Sequence, residues 1–308
     1  MSSQNPRRPT ALPAGGTLGI ISPSSPVDPS RLQTGIGWLQ NRGFRTVLGR
    51  HALDRDGHLA GTDQDRAADL QEMYADPTVD AVLCARGGSS SMRLWRRIDW
   101  DSLRALPPKI FCGYSDITSL HIPFLQRLNV ITFHAPTVWE LGARASDSAG
   151  EWMLHLLQSK VPLDEVPGRA AHTLIGGAAE GRLCGGCLTL IRATLATPYQ
   201  IDTTGSLLIL EDIDNAPWMI ERDLLQLAEA GLLEKAAGFI VGEATNADDT
   251  DTQPMRRIWQ EMLAPFGKPC VLGFPVGHVC DNLALPLGAL ARLDADRGTV
   301  TLLEPAVA

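Results

Sequence analysis

The stretch Phe111-Cys112-Gly113-Tyr114-Ser115-Asp116-Ile117-Thr118-Ser119-Leu120-His121 decides how this chain folds. Entered from Lys109-Ile110, it begins as an apolar run of strand length, passes through a glycine to a serine, and continues directly into a helical pattern that reaches Leu128. A strand that turns this sharply into a helix leaves the serine at the helix N-terminus. There, backbone N–H groups and the helix dipole face any negative charge that develops. Two readings of Ser115 stay open on this segment alone. It is an exposed nucleophile on an elbow, or an N-cap followed by Asp116, which is a common way to start a helix. The segment is not the G-x-S-x-G form of the elbow.

Working outward, the same alternation recurs. Thr17-Leu18-Gly19-Ile20-Ile21 reads as a strand stopped by Ser22-Pro23-Ser24-Ser25-Pro26. A helical stretch through Ile36, Leu39 and Phe44 leads to Thr46-Val47-Leu48, and another from Thr62 to Tyr74 leads to Ala81-Val82-Leu83-Cys84. After the central segment, Val130-Ile131-Thr132-Phe133 ends at His134-Ala135-Pro136. Five strand signals separated by helices predict an α/β fold whose N-terminal part is a doubly wound, mostly parallel sheet, with binding loops at the strands' carboxyl ends. Between Lys160 and Gly177 the chain carries Pro162, Pro167, Gly168, Gly176 and Gly177 with little periodicity, the composition of a linker. Beyond it lie Leu207-Leu208-Ile209-Leu210, Gly238-Phe239-Ile240-Val241, Val271-Leu272, Ala289 to Leu293 and Val300 to Leu303, with helical patterns at Trp218 to Leu233 and Met255 to Leu263. The expected organisation is a flexible segment 1–15, an α/β domain 16–160, a linker 161–177 and a smaller, strand-rich mixed α/β domain 178–308.

Composition narrows the function. With 308 residues, 27 Lys+Arg against 35 Asp+Glu and a net charge of -8, the chain lacks the basic surface of a nucleic-acid binder. No run of 18 apolar residues and no signal-peptide core is visible, so no membrane partner and a cytoplasmic location are expected. The six cysteines, Cys84, Cys112, Cys184, Cys187, Cys270 and Cys280, are too few for a disulfide scaffold. Cys184-Gly185-Gly186-Cys187 has the spacing of a redox or zinc pair but lacks further ligands, and reads as two thiols packed around a glycine turn.

A serine nucleophile needs a base and a carboxylate that orients it. Leu207 to Leu210 delivers Glu211 and Asp212 to a strand's carboxyl end, with Asp214 close behind as a competitor. His278 stands in the loop Gly273-Phe274-Pro275-Val276-Gly277-His278. His134, directly after the fifth strand, is its rival, and His121 is one turn into the serine's helix. Leu83-Cys84-Ala85-Arg86-Gly87-Gly88-Ser89 is a strand ending in a glycine pair, which lets a backbone N–H approach a substrate. Gly88 and Asp116 are thus candidate oxyanion donors, and Arg86 can fork onto a substrate carboxylate or, equally, form a buried salt bridge. Neither G-x-G-x-x-G nor a P-loop is present.

Taken together, Ala85-Arg86-Gly87-Gly88, Gly113-Tyr114-Ser115-Asp116, Leu210-Glu211-Asp212 through Ile220 to Leu227, and Gly277-His278 with Leu285-Pro286-Leu287-Gly288 resemble the LD-carboxypeptidase family of serine peptidases. The resemblance runs in order from about Gly16 to Leu293. It implies Ser115 as nucleophile, His278 as base and Glu211 as its orienting carboxylate. It also implies metal-independent removal of D-alanine from murein tetrapeptide after meso-diaminopimelate, no cofactor, and a homodimer active in cell-wall recycling. Arg86, Gly87 and Ser89 are the expected substrate contacts. Where the family has Tyr-Gly after the glycine pair this chain has Ser89-Ser90-Ser91, and where it has Gly-Gly-Asn this chain has Gly185-Gly186-Cys187, which bears on how the peptide stem is held. The alternatives are a hydrolase of aminoacyl or peptidyl nucleotides of the microcin C immunity type, a general esterase or amidase, and a non-catalytic anion-binding protein.

Overall fold

The computed structural model describes residues 5–167, 171–245 and 252–308. Its strands are β1 (Thr17–Ile21), β2 (Arg45–Leu48), β3 (Ala81–Cys84), β4 (Ile110–Gly113), β5 (Thr132–His134), β6 (His172–Ile175), β7 (Ala178–Cys187), β8 (Ser206–Ile213), β9 (Gly238–Thr245), β10 (Cys270–Leu272), β11 (Leu285–Leu287), β12 (Leu290–Asp294) and β13 (Thr299–Leu302). They form two sheets, in the orders β11-β5-β4-β3-β1-β2 and β13-β12-β7-β8-β9-β10-β6. β1 to β5 pair in parallel, as the continuous apolar runs predict for strands covered on both faces. Strand order reverses between β1 and β3, and ligands of such sheets bind at the carboxyl ends beside that switch point. The second sheet is mixed: β7 to β10 are parallel, while β12, β13 and β6 run antiparallel to their neighbours.

Local chemistry sets the helix starts. Asp28 accepts from the N–H groups of Ser30 and Arg31 and Pro29 takes the first position of Pro29–Gln40. The Thr62 hydroxyl accepts from Asp65 at the head of Asp63–Ala75. From the elbow serine the chain stays helical to Leu128, passing through a 3-10 turn (Ser115–Ile117), an α-helix (Thr118–Pro123) and a π turn (Phe124–Leu128).

The division along the chain departs from expectation in three places. Residues 1–4 of the N-terminal segment lie outside the described residues, but the rest of it is held rather than flexible: Arg7 bridges to Val130, and the amides of Ala11 and Leu12 donate to Ala308 and Leu157. In the expected linker, residues 168–170 lie outside the description, yet His172–Ile175 is a strand of the second sheet and Glu165 bridges to Thr301. β11 crosses over to close the edge of the first sheet against β5. The glycine "turn" of Cys184 to Cys187 is instead the carboxyl end of β7, both thiols buried.

One apolar core runs through both sheets. It joins Leu18, Leu83 and Phe133 of the first to Leu183, Ile209 and Ile240 of the second, and Asp147–Gln158 contributes Trp152, Met153, Leu156 and Leu157 to it. Each fully buried Leu or Ile side chain here contributes about 1.5–3 kcal/mol.

Candidate active site

Ser115 sits two residues past the end of β4 with φ +65°. The left-handed region costs a non-glycine residue on the order of 1–3 kcal/mol, so the surroundings must hold it there. Three clamps do so. His121 Nε2–H donates to the Gly113 carbonyl at 2.8 Å, which leaves Nδ1 to accept from the Thr132 hydroxyl at 2.9 Å. Burial of that imidazole pushes its pKa down to about 3, so it stays neutral. The Tyr114 hydroxyl donates to Glu140 Oε1 at 2.6 Å, and Glu140 Oε2 in turn accepts from the Thr137 amide and hydroxyl. Finally, the buried Asp116 carboxylate accepts from the Ser24 hydroxyl and the Ser91 N–H, tying the elbow to the loops that follow β1 and β3.

His278 reaches this serine from the other sheet's side. Its Nε2 lies 3.0 Å from Ser115 Oγ, and its Nδ1 lies 2.7 Å from Glu211 Oε2 at the carboxyl end of β8. A carboxylate only accepts, so Nδ1 carries the proton and the Nε2 lone pair faces the hydroxyl. The loop passes closely enough for this because Gly277 has φ +99° and a Cβ there would stand 2.5 Å from Glu211 Oε2. Glu211 is fully buried. Burial pushes its carboxyl up, but the two facing imidazoles, His278 foremost, outweigh it and hold the pKa at about 2. Burial pulls His278 down, and the Glu211 charge and hydrogen bond outweigh that, raising it above the ordinary histidine value. The pair therefore keeps Glu211 ionised and makes His278 a stronger base than an ordinary histidine.

A cavity of about 350 Å³ opens on Ser115 and His278. Arg86, Gly87 and Gly88 line it, and a Cβ on Gly87 would stand 3.2 Å from Ser115 Oγ, so only glycine lets the β3 loop come this close. Arg86 forms no ion pair among the described residues. Its Nη1 donates to the Pro26 carbonyl at 3.1 Å and its guanidinium lies 4.9 Å from the Trp139 ring centroid. Ser89 does not line the cavity: Gly88, at φ +123°, turns the chain outward and the exposed Ser89 gives its N–H to Ser25 Oγ. Asp116 does not line the cavity, its buried carboxylate being taken by Ser24 and Ser91, and Asp212 is engaged by Thr189. Tyr114, Thr137, Trp139, Arg144, Ile213 and Asp214 complete the lining; Asp214 was a candidate from the chain, whereas Arg144 and Trp139 escaped the sequence reading because nothing in their own local sequence points to the cavity. Arg144 donates to the His278 carbonyl at 3.2 Å and also borders a second cavity of about 900 Å³, which His278 shares. His134, the rival base, is fully buried and does not approach the serine; it faces Glu211 instead.

Among the described residues, His51, Asp54 and Asp65 lie close enough together to share a cation, but His51 Nδ1 is already hydrogen-bonded to Asp54 at 2.8 Å and none of the three lines either cavity.

A serine on a strained turn, an imidazole and a buried carboxylate stand in hydrogen-bonded sequence, the arrangement by which serine hydrolases make a hydroxyl nucleophilic. The particular family follows from comparison: the LD-carboxypeptidase N-terminal domain profile matches residues 18–135 and the LD-carboxypeptidase C-terminal domain profile matches residues 180–293, and the chain belongs to that family. It is 37% identical to the "probable murein peptide carboxypeptidase" of Bacillus subtilis, covering 96% of this chain and 94% of that one. The solved structure of a muramoyltetrapeptide carboxypeptidase from Oxalobacter formigenes superposes with a TM-score of 0.81 at 28% identity, covering 93% of this chain and 97% of that one. The microcin C7 self-immunity protein MccF, wild type without ligand, shares the fold at a TM-score of 0.88 and 24% identity, over 98% of this chain and 100% of that chain. No helix among the described residues is long and apolar enough to cross a membrane.

Proposed function

We propose that the protein is a serine LD-carboxypeptidase that releases the terminal D-alanine from murein tetrapeptide, using Ser115, His278 and Glu211. The observation that carries the reading is the unbroken line from Ser115 Oγ to His278 Nε2 at 3.0 Å and from His278 Nδ1 to Glu211 at 2.7 Å. His278 takes the hydroxyl proton as Oγ attacks the diaminopimelate carbonyl. The N–H groups of Gly88 and Asp116 receive the oxyanion. The imidazolium then gives its proton to the leaving amine of D-alanine, and water, deprotonated by His278, releases the acyl group from Ser115. No step calls for a metal or cofactor.

A carboxypeptidase must hold a terminal carboxylate, and two guanidinium groups border the cavity. Arg86 is the fork, stiffened by Pro26 and Trp139, and Arg144 is a second cation at the rim. The larger adjoining cavity has room for the rest of the peptide stem. The reading brings with it a homodimer in the cytoplasm, acting in peptidoglycan recycling; sedimentation of the purified protein at twice the chain mass is the check on the first.

The relation to MccF supports a second reading, hydrolysis of an aminoacyl nucleotide by the same residues. A substrate panel separates the two. With EDTA present, D-alanine released from the tetrapeptide L-Ala, D-Glu, meso-diaminopimelate, D-Ala is the expected result, with an aminoacyl nucleotide left intact. Cleavage of the nucleotide alone would overturn the carboxypeptidase reading, and loss of D-alanine release in EDTA would overturn metal independence.

A further inference from the structure

Glu211 stands between two imidazoles, and the triad uses only one of them. Its Oε2 accepts from His278 Nδ1 at 2.7 Å, while its Oε1 is buried without a hydrogen-bond partner. The group facing that free oxygen is His134, whose Nε2 lies 3.6 Å away. Neither ring nitrogen of His134 has a partner, and its side chain is 0% exposed. Buried polar atoms without partners are rare, and here an orphaned donor site and an orphaned acceptor face each other just beyond hydrogen-bond length. His134 is also held in place: β5 pairs its backbone with Gly113 on one side and Leu285 on the other, the Tyr114 ring lies 5.5 Å from its own, and a Cβ on Gly186 of β7 would stand 3.4 Å from its Cδ2. Hydrogen bonds of catalytic groups often run long without substrate and tighten in the complex.

We propose that His134 is a positioning residue, an imidazole in the Nε2–H tautomer that donates to the free oxygen of Glu211 and keeps the carboxylate turned toward His278. Nδ1 then carries the lone pair, which suits a nitrogen with no acceptor in reach. The residue touches neither substrate nor the reacting atoms. Its contribution is to stop the buried carboxylate from swinging away as His278 becomes charged, in the way a second partner fixes an imidazole or carboxylate behind a metal. This inference rests on Ser115, His278 and Glu211 acting as proposed.

The experiment measures kcat and KM on the murein tetrapeptide for wild type, Ser115→Ala, His134→Leu and His134→Gln, with thermal unfolding of each. His134→Leu removes the donor and is expected to lower kcat roughly 10- to 100-fold, the range of a hydrogen bond to a charged group, with KM unchanged. His134→Gln returns an N–H near the position of Nε2 and is expected to recover most of that loss. Wild-type kcat in His134→Leu, or a Gln variant no better than Leu, would overturn the proposal. If Ser115→Ala turns over like wild type, the triad reading itself fails and takes this inference with it. An independent arm needs no variant to fold: nitrogen NMR of histidine-labelled wild type is expected to show His134 protonated at Nε2, and a proton at Nδ1 instead would overturn the proposal whatever the kinetics show.

Discussion

At the scale of single residues, the site is a set of groups held in states they would not adopt alone. Ser115 occupies the left-handed region, and His278 is more basic than an ordinary histidine because a buried carboxylate lies 2.7 Å from it. The sign of the pH dependence follows. The base must be neutral to take the serine proton, and its folded pKa is raised above 6.5, so kcat/KM is expected to fall on the acid side with a midpoint above pH 6.5. Glu211→Gln removes the charge that raises it; the midpoint should move to lower pH and kcat should drop by roughly 10⁴-fold, because the imidazole loses its preferred tautomer. A pH profile of both proteins reads this, and an unmoved midpoint would mean that Glu211 does not face His278 in solution. Arg86→Ala should raise KM with kcat little changed if the guanidinium contributes uniform binding of the substrate carboxylate, which steady-state kinetics on the tetrapeptide measures.

At the scale of elements, loops from the ends of β3, β4, β5, β8 and β10 supply the groups, and their mutual fit is the fragile part. A Cβ on Gly87 would come 2.9 Å from the Ser115 Cβ, so Gly87→Ala is expected to cut kcat at least tenfold while far-UV circular dichroism stays that of the wild type. His121→Leu strips the Gly113 carbonyl of a buried donor and should destabilise the protein by about 1–3 kcal/mol in urea unfolding. These same elements explain what the sequence made legible. β3, β4 and β8 are built on apolar runs ending in turn residues, and each left its terminal chemistry in view: Gly87, Ser115 and Glu211 stand at such ends, and Gly277 announced the loop of His278. β7 was hidden by three glycines, which break the apolar pattern of a strand, and β11 by Pro286, tolerated because β11 is an edge strand. β6 is a short, partly exposed edge, which gave it the composition of a linker. Trp139 reaches the cavity from the 3-10 turn Val138–Glu140 and Arg144 from the turn that follows it, and where that segment lies depends on tertiary packing that no local pattern encodes.

At the scale of the whole molecule, the nucleophile belongs to one sheet and its base and carboxylate to the part of the chain that builds the other, with one of the three apolar clusters shared by both sheets. Unfolding should therefore be one cooperative event, with loss of activity and of near- and far-UV circular dichroism coinciding in urea; separate transitions would show that the sheets are independent. Trp152 belongs to the cluster that both sheets share and gives its indole N–H to the Ala284 carbonyl, and Trp152→Ala should cost about 3–5 kcal/mol. The central claim is that Ser115 attacks the bond to D-alanine. Its most direct test is D-alanine release from the murein tetrapeptide by wild type and by folded Ser115→Ala. Release by wild type, with a loss of at least 10³-fold in the variant, is the predicted result; equal release by the two proteins would contradict it.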